Sequence, residues 1–175
     1  MGNRITNRTY SADESLKMNN GLTTVFIEAL AVSASVLAST EREKLFAVWL
    51  ACHDQQICGI GTVGFDISDM PWTKLGFQAQ KDFLFEVIRS AQSKAYWHLL
   101  GYQPGREDWV VESLEKFRQL IAHFSKERIV PEEKRRSAHN MPSTFLQCPK
   151  HKVFVHQAGC ILCIGYGDGW RFMPD

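Results

Sequence analysis

The chain has 175 residues, a formal net charge of +1 at neutral pH and a hydrophobic fraction of 45%. This length and composition suit one globular domain, or one domain with a small appendage, that can bury a core of its own. The near-neutral charge argues against a protein that binds nucleic acid through bulk positive charge. Five cysteines, an odd number, argue against a disulfide framework, and residues 1–20 hold no apolar core segment of a signal peptide, so we predict a cytoplasmic protein.

The chain begins with a polar segment and continues into an apolar one. We expect residues 1–20 to form a polar N-terminal arm that is loose or only partly ordered. Residues 22–38 have a wide apolar face at helical spacing, which predicts a buried helix. The run is shorter than the roughly 20 apolar residues that a transmembrane helix needs, and it carries Glu28, so we predict no membrane span.

Two further signals place the next elements. Thr40 and Glu43 match a capping box, which predicts a second helix over residues 41–53. Residues 58–72 match the dinucleotide-binding pattern G-x-G-x-x-G by letter, but a helical segment precedes them and residues 63–67 alternate like a strand. We therefore reject nucleotide binding and predict a glycine-rich loop with a short central β-element.

Apolar patterns in residues 77–124 predict two long helices. An apolar stripe runs along residues 77–100 and stops at Gly101, a residue type that commonly follows a helix. A second stripe runs along residues 107–124 after a short turn, so the two helices should pack as an antiparallel pair. The overall prediction is a mainly α fold, with a helical domain of about four helices over residues 21–125.

Residues 126–144 form a charged segment that we interpret as a linker. It contains a basic run, and two lysines follow close behind; together these candidates for phosphate contacts are Lys134, Arg135, Arg136, Lys150 and Lys152. Acidic residues interleave with the basic run, so a solvated linker is the alternative to a nucleic-acid contact.

The most informative stretch lies near the C-terminus and pairs four metal-ligand side chains. Two residues separate Cys148 from His151, two separate Cys160 from Cys163, and eight lie between the pairs. Each pair can form a tight turn that points both side chains toward one ion, and three cysteines with one histidine are a ligand set that zinc prefers. We predict a structural Zn²⁺ site on these four residues.

The segment between the two pairs leaves some choices open. Residues 152–159 can run out and back as a short hairpin, with Val153 and Val155 on one face and a reversal at Gly159. His156 is a second-ranked candidate that would replace His151. Reduced cysteine pairs without metal, or a disulfide within the second pair, are the alternatives to zinc.

Over residues 145–166 this pattern resembles the zinc-ribbon and zinc-knuckle class of small metal sites. It departs from the usual pattern because Lys152, not glycine, directly follows the first pair. The resemblance implies nucleic-acid binding, protein binding or plain stabilisation, since such modules serve all three roles. Residues 145–175 are thus expected to form a zinc-bound hairpin module with an aromatic tail that covers the site or the helical core.

Three function classes remain after these observations. The favoured class is a non-enzymatic interaction or regulatory protein that binds another protein, because the charge is near neutral and aromatic residues are plentiful. The alternative is a zinc-dependent regulator that binds nucleic acid. An enzyme is the third class, and no catalytic residue is predicted, because a catalytic zinc usually has three protein ligands and one open position, whereas four ligands are present here.

Overall fold

The computed structural model describes residues 3–8, 15–135 and 144–165, and it is mainly helical, as the sequence predicts. Its helices are α1 (Asn20–Leu37), α2 (Glu41–Ala51), the short α3 (Gln55–Cys58), α4 (Phe77–Gln92), α5 (Glu107–Ala122) and the short α6 (Ile161–Gly165). The first helix packs on the second, the fourth and the fifth. The four long helices of the described ranges correspond to the four that the apolar patterns predict.

The starts of the first two helices are fixed by side-chain caps. Asn19 accepts a hydrogen bond of 2.8 Å from the backbone N–H of Leu22 at the start of α1. The capping box predicted for α2 is confirmed: the Glu43 N–H donates to Thr40 Oγ1 at 3.2 Å, and the Thr40 N–H donates to Glu43 Oε2 at 2.9 Å. Such caps satisfy N–H groups that have no partner inside the helix.

Helix α1 is the core helix of the fold. It is long and apolar enough to cross a membrane by length and composition, yet 61% of its residues are buried inside the protein. Phe26 and Leu30 are fully buried, and the Phe26 ring lies edge-on to Phe117 of α5 at 5.5 Å. The apolar run of this helix is therefore used for packing against the other helices.

A small sheet lies at the start of the chain and has three strands: β1 (Asn3–Thr6), β2 (Ser15–Met18) and β3 (Gly64–Asp66). The central strand β1 pairs antiparallel with β2 and parallel with β3. The strand β3 is the predicted central β-element. The expectation of a loose N-terminal arm was wrong for residues 3–6 and 15–18, because Ile5 and Leu16 alternate with polar neighbours and are buried in the core.

The helix predicted over residues 77–100 is shorter than its apolar stripe. It ends at Gln92, and Lys94 adopts a left-handed conformation with φ 60°, which interrupts the helix. A 3-10 turn over Trp97–Leu100 follows and continues to bury apolar side chains, and Gly101 at φ 80° then reverses the chain. The apolar pattern over residues 77–100 thus spans two elements, helix α4 and the 3-10 turn, and both bury apolar side chains in the core.

Candidate metal centre

The four predicted ligands come together in one cluster, in which Cys148, His151 and Cys160 are buried and Cys163 is half-buried. The potential ligand atoms of Cys148, His151, Cys160 and Cys163 all lie within 4.8 Å of one another. Cys148 Sγ is 3.7 Å from Cys163 Sγ, and His151 Nδ1 is 3.7, 3.6 and 3.4 Å from the sulfurs of Cys148, Cys160 and Cys163. The arrangement could therefore hold a metal ion.

These distances match the edges of a metal-centred tetrahedron. With Zn–S bonds of about 2.3 Å and Zn–N bonds of about 2.0–2.1 Å, a regular tetrahedron has S···S edges of about 3.8 Å and S···N edges of about 3.6 Å. Of the six ligand–ligand distances, one S···S distance is 3.7 Å, the three S···N distances are 3.4–3.7 Å, and all six lie within 4.8 Å. Four such ligands would complete the coordination shell, which is typical of a structural site.

The first ligand pair lies on a tight turn between two antiparallel backbone segments. The Lys152 N–H donates to the carbonyl oxygen of Cys148 at 2.9 Å, and the Cys148 N–H donates to the carbonyl of Val153 at 2.9 Å. Gln147 forms an isolated antiparallel bridge with Phe154 on the next step. Lys152 has φ 59°, a left-handed conformation that favours glycine.

The second pair is positioned by a reversal and a short helix. His156 and Gly159 exchange backbone hydrogen bonds of 3.0 and 2.8 Å, and Gly159 has φ 107°, so the predicted reversal is present. Cys160 directly precedes α6, and Cys163 lies within it. The hairpin differs from the one predicted over residues 152–159, because the segment after His151 pairs back across the first ligand pair.

The surroundings act differently on the three thiols of the cluster. Burial raises the pKa of Cys160 and of Cys163, because it penalises the charged thiolate. Burial also acts to raise the pKa of Cys148, but hydrogen bonds from the backbone N–H groups of His151 and Lys150 and from the neighbouring thiols outweigh it and lower the pKa overall. A metal ion would balance the charge that burial penalises.

His156, the second-ranked ligand candidate, does not belong to the cluster. Its Nδ1 accepts a hydrogen bond of 3.1 Å from the Ala158 N–H, and its side chain is buried. Burial lowers the pKa of His156 to about 4, so it is neutral at physiological pH. Its position in the turn before Gly159 is that of a packing residue, and His151 is the histidine that faces the three sulfurs.

The cluster of four candidate ligands is anchored to the helical domain by residues distant in sequence. Ser35 of α1 accepts two hydrogen bonds: its Oγ from the Phe154 N–H at 3.0 Å, and its carbonyl oxygen from Gln147 Nε2 at 3.1 Å. On another side, a Cβ placed on Gly101 would lie 3.7 Å from His151 Nε2. Sequence reasoning missed Ser35 as a support, because no local pattern links it to Gln147 and Phe154, which are 112 and 119 positions away.

The basic residues proposed for nucleic acid do not all face solvent. Lys134, Lys150 and Lys152 are exposed. Arg135 is half-buried, and its guanidinium donates to the backbone carbonyl oxygens of Val130 and Trp72. Arg136 and the aromatic tail after residue 165 lie outside the described residues, so the expected role of that tail is untested.

No protein-family model, no curated protein and no solved structure matches this chain.

Proposed function

We propose that this chain is a non-enzymatic interaction or regulatory protein in which a closed structural zinc site holds a C-terminal module against the helical domain. The observation that carries the proposal is the largely buried group of three cysteines and one histidine, whose ligand atoms all lie within 4.8 Å of one another. We assign the ion as Zn²⁺, since thiolate and imidazole ligands in a closed tetrahedron suit zinc better than magnesium, calcium or manganese.

The module's role follows from where it is anchored. Zinc binding would order residues 144–165, because the four ligands are brought together only when the two turns are formed. The hydrogen bonds to Ser35 would then fix the ordered module on helix α1. The main helical core has its own buried aromatic contacts, such as Phe26 on Phe117, so the metal would act as a local staple.

The same junction supports a protein-binding role. Val36 and Leu146 are the sequence neighbours of the hydrogen-bonded residues Ser35 and Gln147, and their side chains are 37% and 40% exposed. Exposed apolar side chains that form one patch suit contact with another protein, and the hydrogen bond between the neighbouring Ser35 and Gln147 brings these two segments together. We propose that this junction contributes to the surface that a protein partner binds.

Two experiments test the proposal. Replacement of the native metal by Co²⁺ should give the intense visible absorption of tetrahedral cobalt with thiolate ligands, whereas weak absorption would indicate an open or higher-coordinate site. Leu146→Glu should abolish capture of a partner on the immobilised protein, and Leu75→Glu, at a fully exposed site elsewhere, should not. Equal capture by both variants would contradict the proposed surface.

Nucleic-acid binding is the alternative function and has less support. Arg135, one of the five candidate cations, already donates hydrogen bonds to the carbonyl oxygens of Val130 and Trp72, so it is less available to contact a phosphate. Binding that weakens steeply as salt rises would favour this alternative, since each phosphate contact releases counterions. An enzyme remains the third class, and a closed four-ligand metal shell leaves no coordination position for substrate.

A further inference from the structure

A cavity of about 450 Å³ lies where three parts of the chain meet: helix α1, residues 54–60, and the C-terminal metal module of residues 144–165. Glu28 and Asp54 line it from the helical side, and Ile161, which directly follows the metal-cluster residue Cys160, lines it from the module. Its volume is in the range of pockets that hold small molecules. It is separate from the metal cluster, and the proposed function does not use it.

Two buried carboxyl groups face this cavity. Glu28 is 2% exposed and its Oε2 accepts a hydrogen bond from the Tyr102 hydroxyl. Asp54 is 6% exposed; its Oδ1 accepts a hydrogen bond of 3.1 Å from the Gln56 N–H, while its Oδ2 is buried and has no hydrogen-bond partner in the described part of the chain. A buried carboxylate oxygen without a donor is costly, so an additional hydrogen-bond donor at this oxygen would stabilise the site.

Among the residues that the structure describes, the cavity is lined by acidic side chains and by no basic ones, so it favours a positively charged ligand. None of the described residues that line the cavity is a lysine, arginine or histidine. Burial raises the pKa of Glu28 to about 7, with the nearby Asp54 adding to the effect, and burial also raises the pKa of Asp54. A positively charged hydrogen-bond donor would relieve the penalty at both carboxyl groups at once.

The remaining walls favour an organic cation over a metal ion. Gln55 Nε2 donates to the Asn20 carbonyl oxygen at 2.7 Å and to Thr24 Oγ1 at 2.6 Å, so these oxygens already have partners. Apart from the cysteine cluster, no group of three or more His, Cys, Asp or Glu among the described residues is arranged to hold a metal. Ile60 and Ile161 supply apolar surface beside the carboxyl groups.

We propose that this cavity binds a small organic molecule that carries a protonated amine, with Asp54 Oδ2 and Glu28 accepting hydrogen bonds from the ammonium group and the two isoleucines contacting its apolar part. The inference does not depend on a protein partner. It requires only the folded chain with the metal module in place, since Ile161 forms one wall.

The test uses n-butylammonium chloride as the probe, titrated at neutral pH into the full-length, zinc-loaded protein and followed by NMR chemical shifts. Saturable shifts at residues around Asp54 and Glu28 are expected, and neutral 1-butanol of similar shape should bind at least about tenfold more weakly, because it lacks the charged donor. Equal binding of both molecules, or no saturable binding of either, would overturn the proposal.

Variants locate the site and control for folding. Asp54→Asn should weaken the butylammonium affinity at least about tenfold, while an asparagine can still cap the following turn through its oxygen. Glu28→Gln should weaken binding while keeping an acceptor for Tyr102. Glu41→Gln removes an exposed carboxylate elsewhere and should leave the affinity unchanged. Saturable binding of Mg²⁺ or Ca²⁺ at the same residues in place of the amine would contradict the assignment to an organic cation.

Discussion

Ser35 of helix α1 accepts a hydrogen bond of 3.0 Å from the backbone N–H of Phe154, a residue 119 positions later in the chain. The serine carbonyl accepts a second hydrogen bond from Gln147. One residue of the core helix therefore holds both segments of the antiparallel turn that carries Cys148 and His151. These two hydrogen bonds fix the position of the metal module on the helical domain.

Ser35→Ala should destabilise the module. The change leaves the buried N–H of Phe154 without its acceptor, which costs about 1–3 kcal/mol. Ser33 provides a matched control on the same helix, because its hydroxyl is fully buried and has no partner among the described residues. Ser33→Ala should be neutral or slightly stabilising. Denaturant unfolding of both variants checks this, and an equal loss in both would contradict the anchoring role.

Cys163→Ser should remove the metal and loosen the module without unfolding the helical domain. Hydrogen–deuterium exchange should speed up over residues 144–165, while the amides of α1 and α5, which pack around Phe26 and Phe117, should stay protected. Cys58→Ser is the control, since Cys58 is exposed and outside the cluster. Global loss of protection in Cys163→Ser would mean that the metal supports the whole fold.

Two turn residues should respond in opposite ways to substitution. Gly159 has φ 107°, so Gly159→Ala forces a side chain into a strained conformation and should cost about 1–3 kcal/mol. Lys152 already bears such strain at φ 59°, so Lys152→Gly should leave the module as stable or slightly more stable. The rate of metal loss to a chelator measures both effects. Faster loss in Lys152→Gly would show that its conformation is not a source of strain.

Glu28 should make stability fall as pH rises. Its pKa is 4.5 in an unfolded chain and about 7 in the fold, so the unfolded state ionises first between these values and the free energy of unfolding decreases. Between pH 5 and pH 8 the loss should be roughly 2 kcal/mol. In Glu28→Gln the side chain stays neutral at every pH, so its free energy of unfolding does not decrease for this reason.

The measurement for Glu28 is the difference in unfolding free energy between wild type and Glu28→Gln at each pH, which cancels the contribution of the metal site. The variant should gain on the wild type as pH rises through this window. A difference that stays constant from pH 5 to pH 8 would show that the folded pKa of Glu28 is not raised.

Sequence patterns identified the elements whose determinants are local. The capping box of Thr40 and Glu43 involves residues three positions apart, and each half of the metal cluster is a pair with the same spacing. Strong apolar periodicity likewise predicted the four long helices. In each case the interacting side chains are close in sequence, so their spacing carries the structural information.

Features that depend on distant partners could not be predicted in this way. The strand β1 has four residues within a polar segment, and its register with β3 places Ile5 opposite Phe65. Glu28 and Asp54 meet at the cavity only because α1 packs beside the turn that follows α2. Local sequence contains no signal for either contact.

We propose that Cys148, His151, Cys160 and Cys163 bind one zinc ion. The most direct test is elemental mass spectrometry of the untagged, reduced wild-type protein beside Cys160→Ser. We expect one zinc per wild-type chain and a large loss of zinc in the variant. Wild-type protein without metal, even after incubation with Zn²⁺, or a variant that keeps full zinc content, would contradict the assignment of this cluster as the metal site.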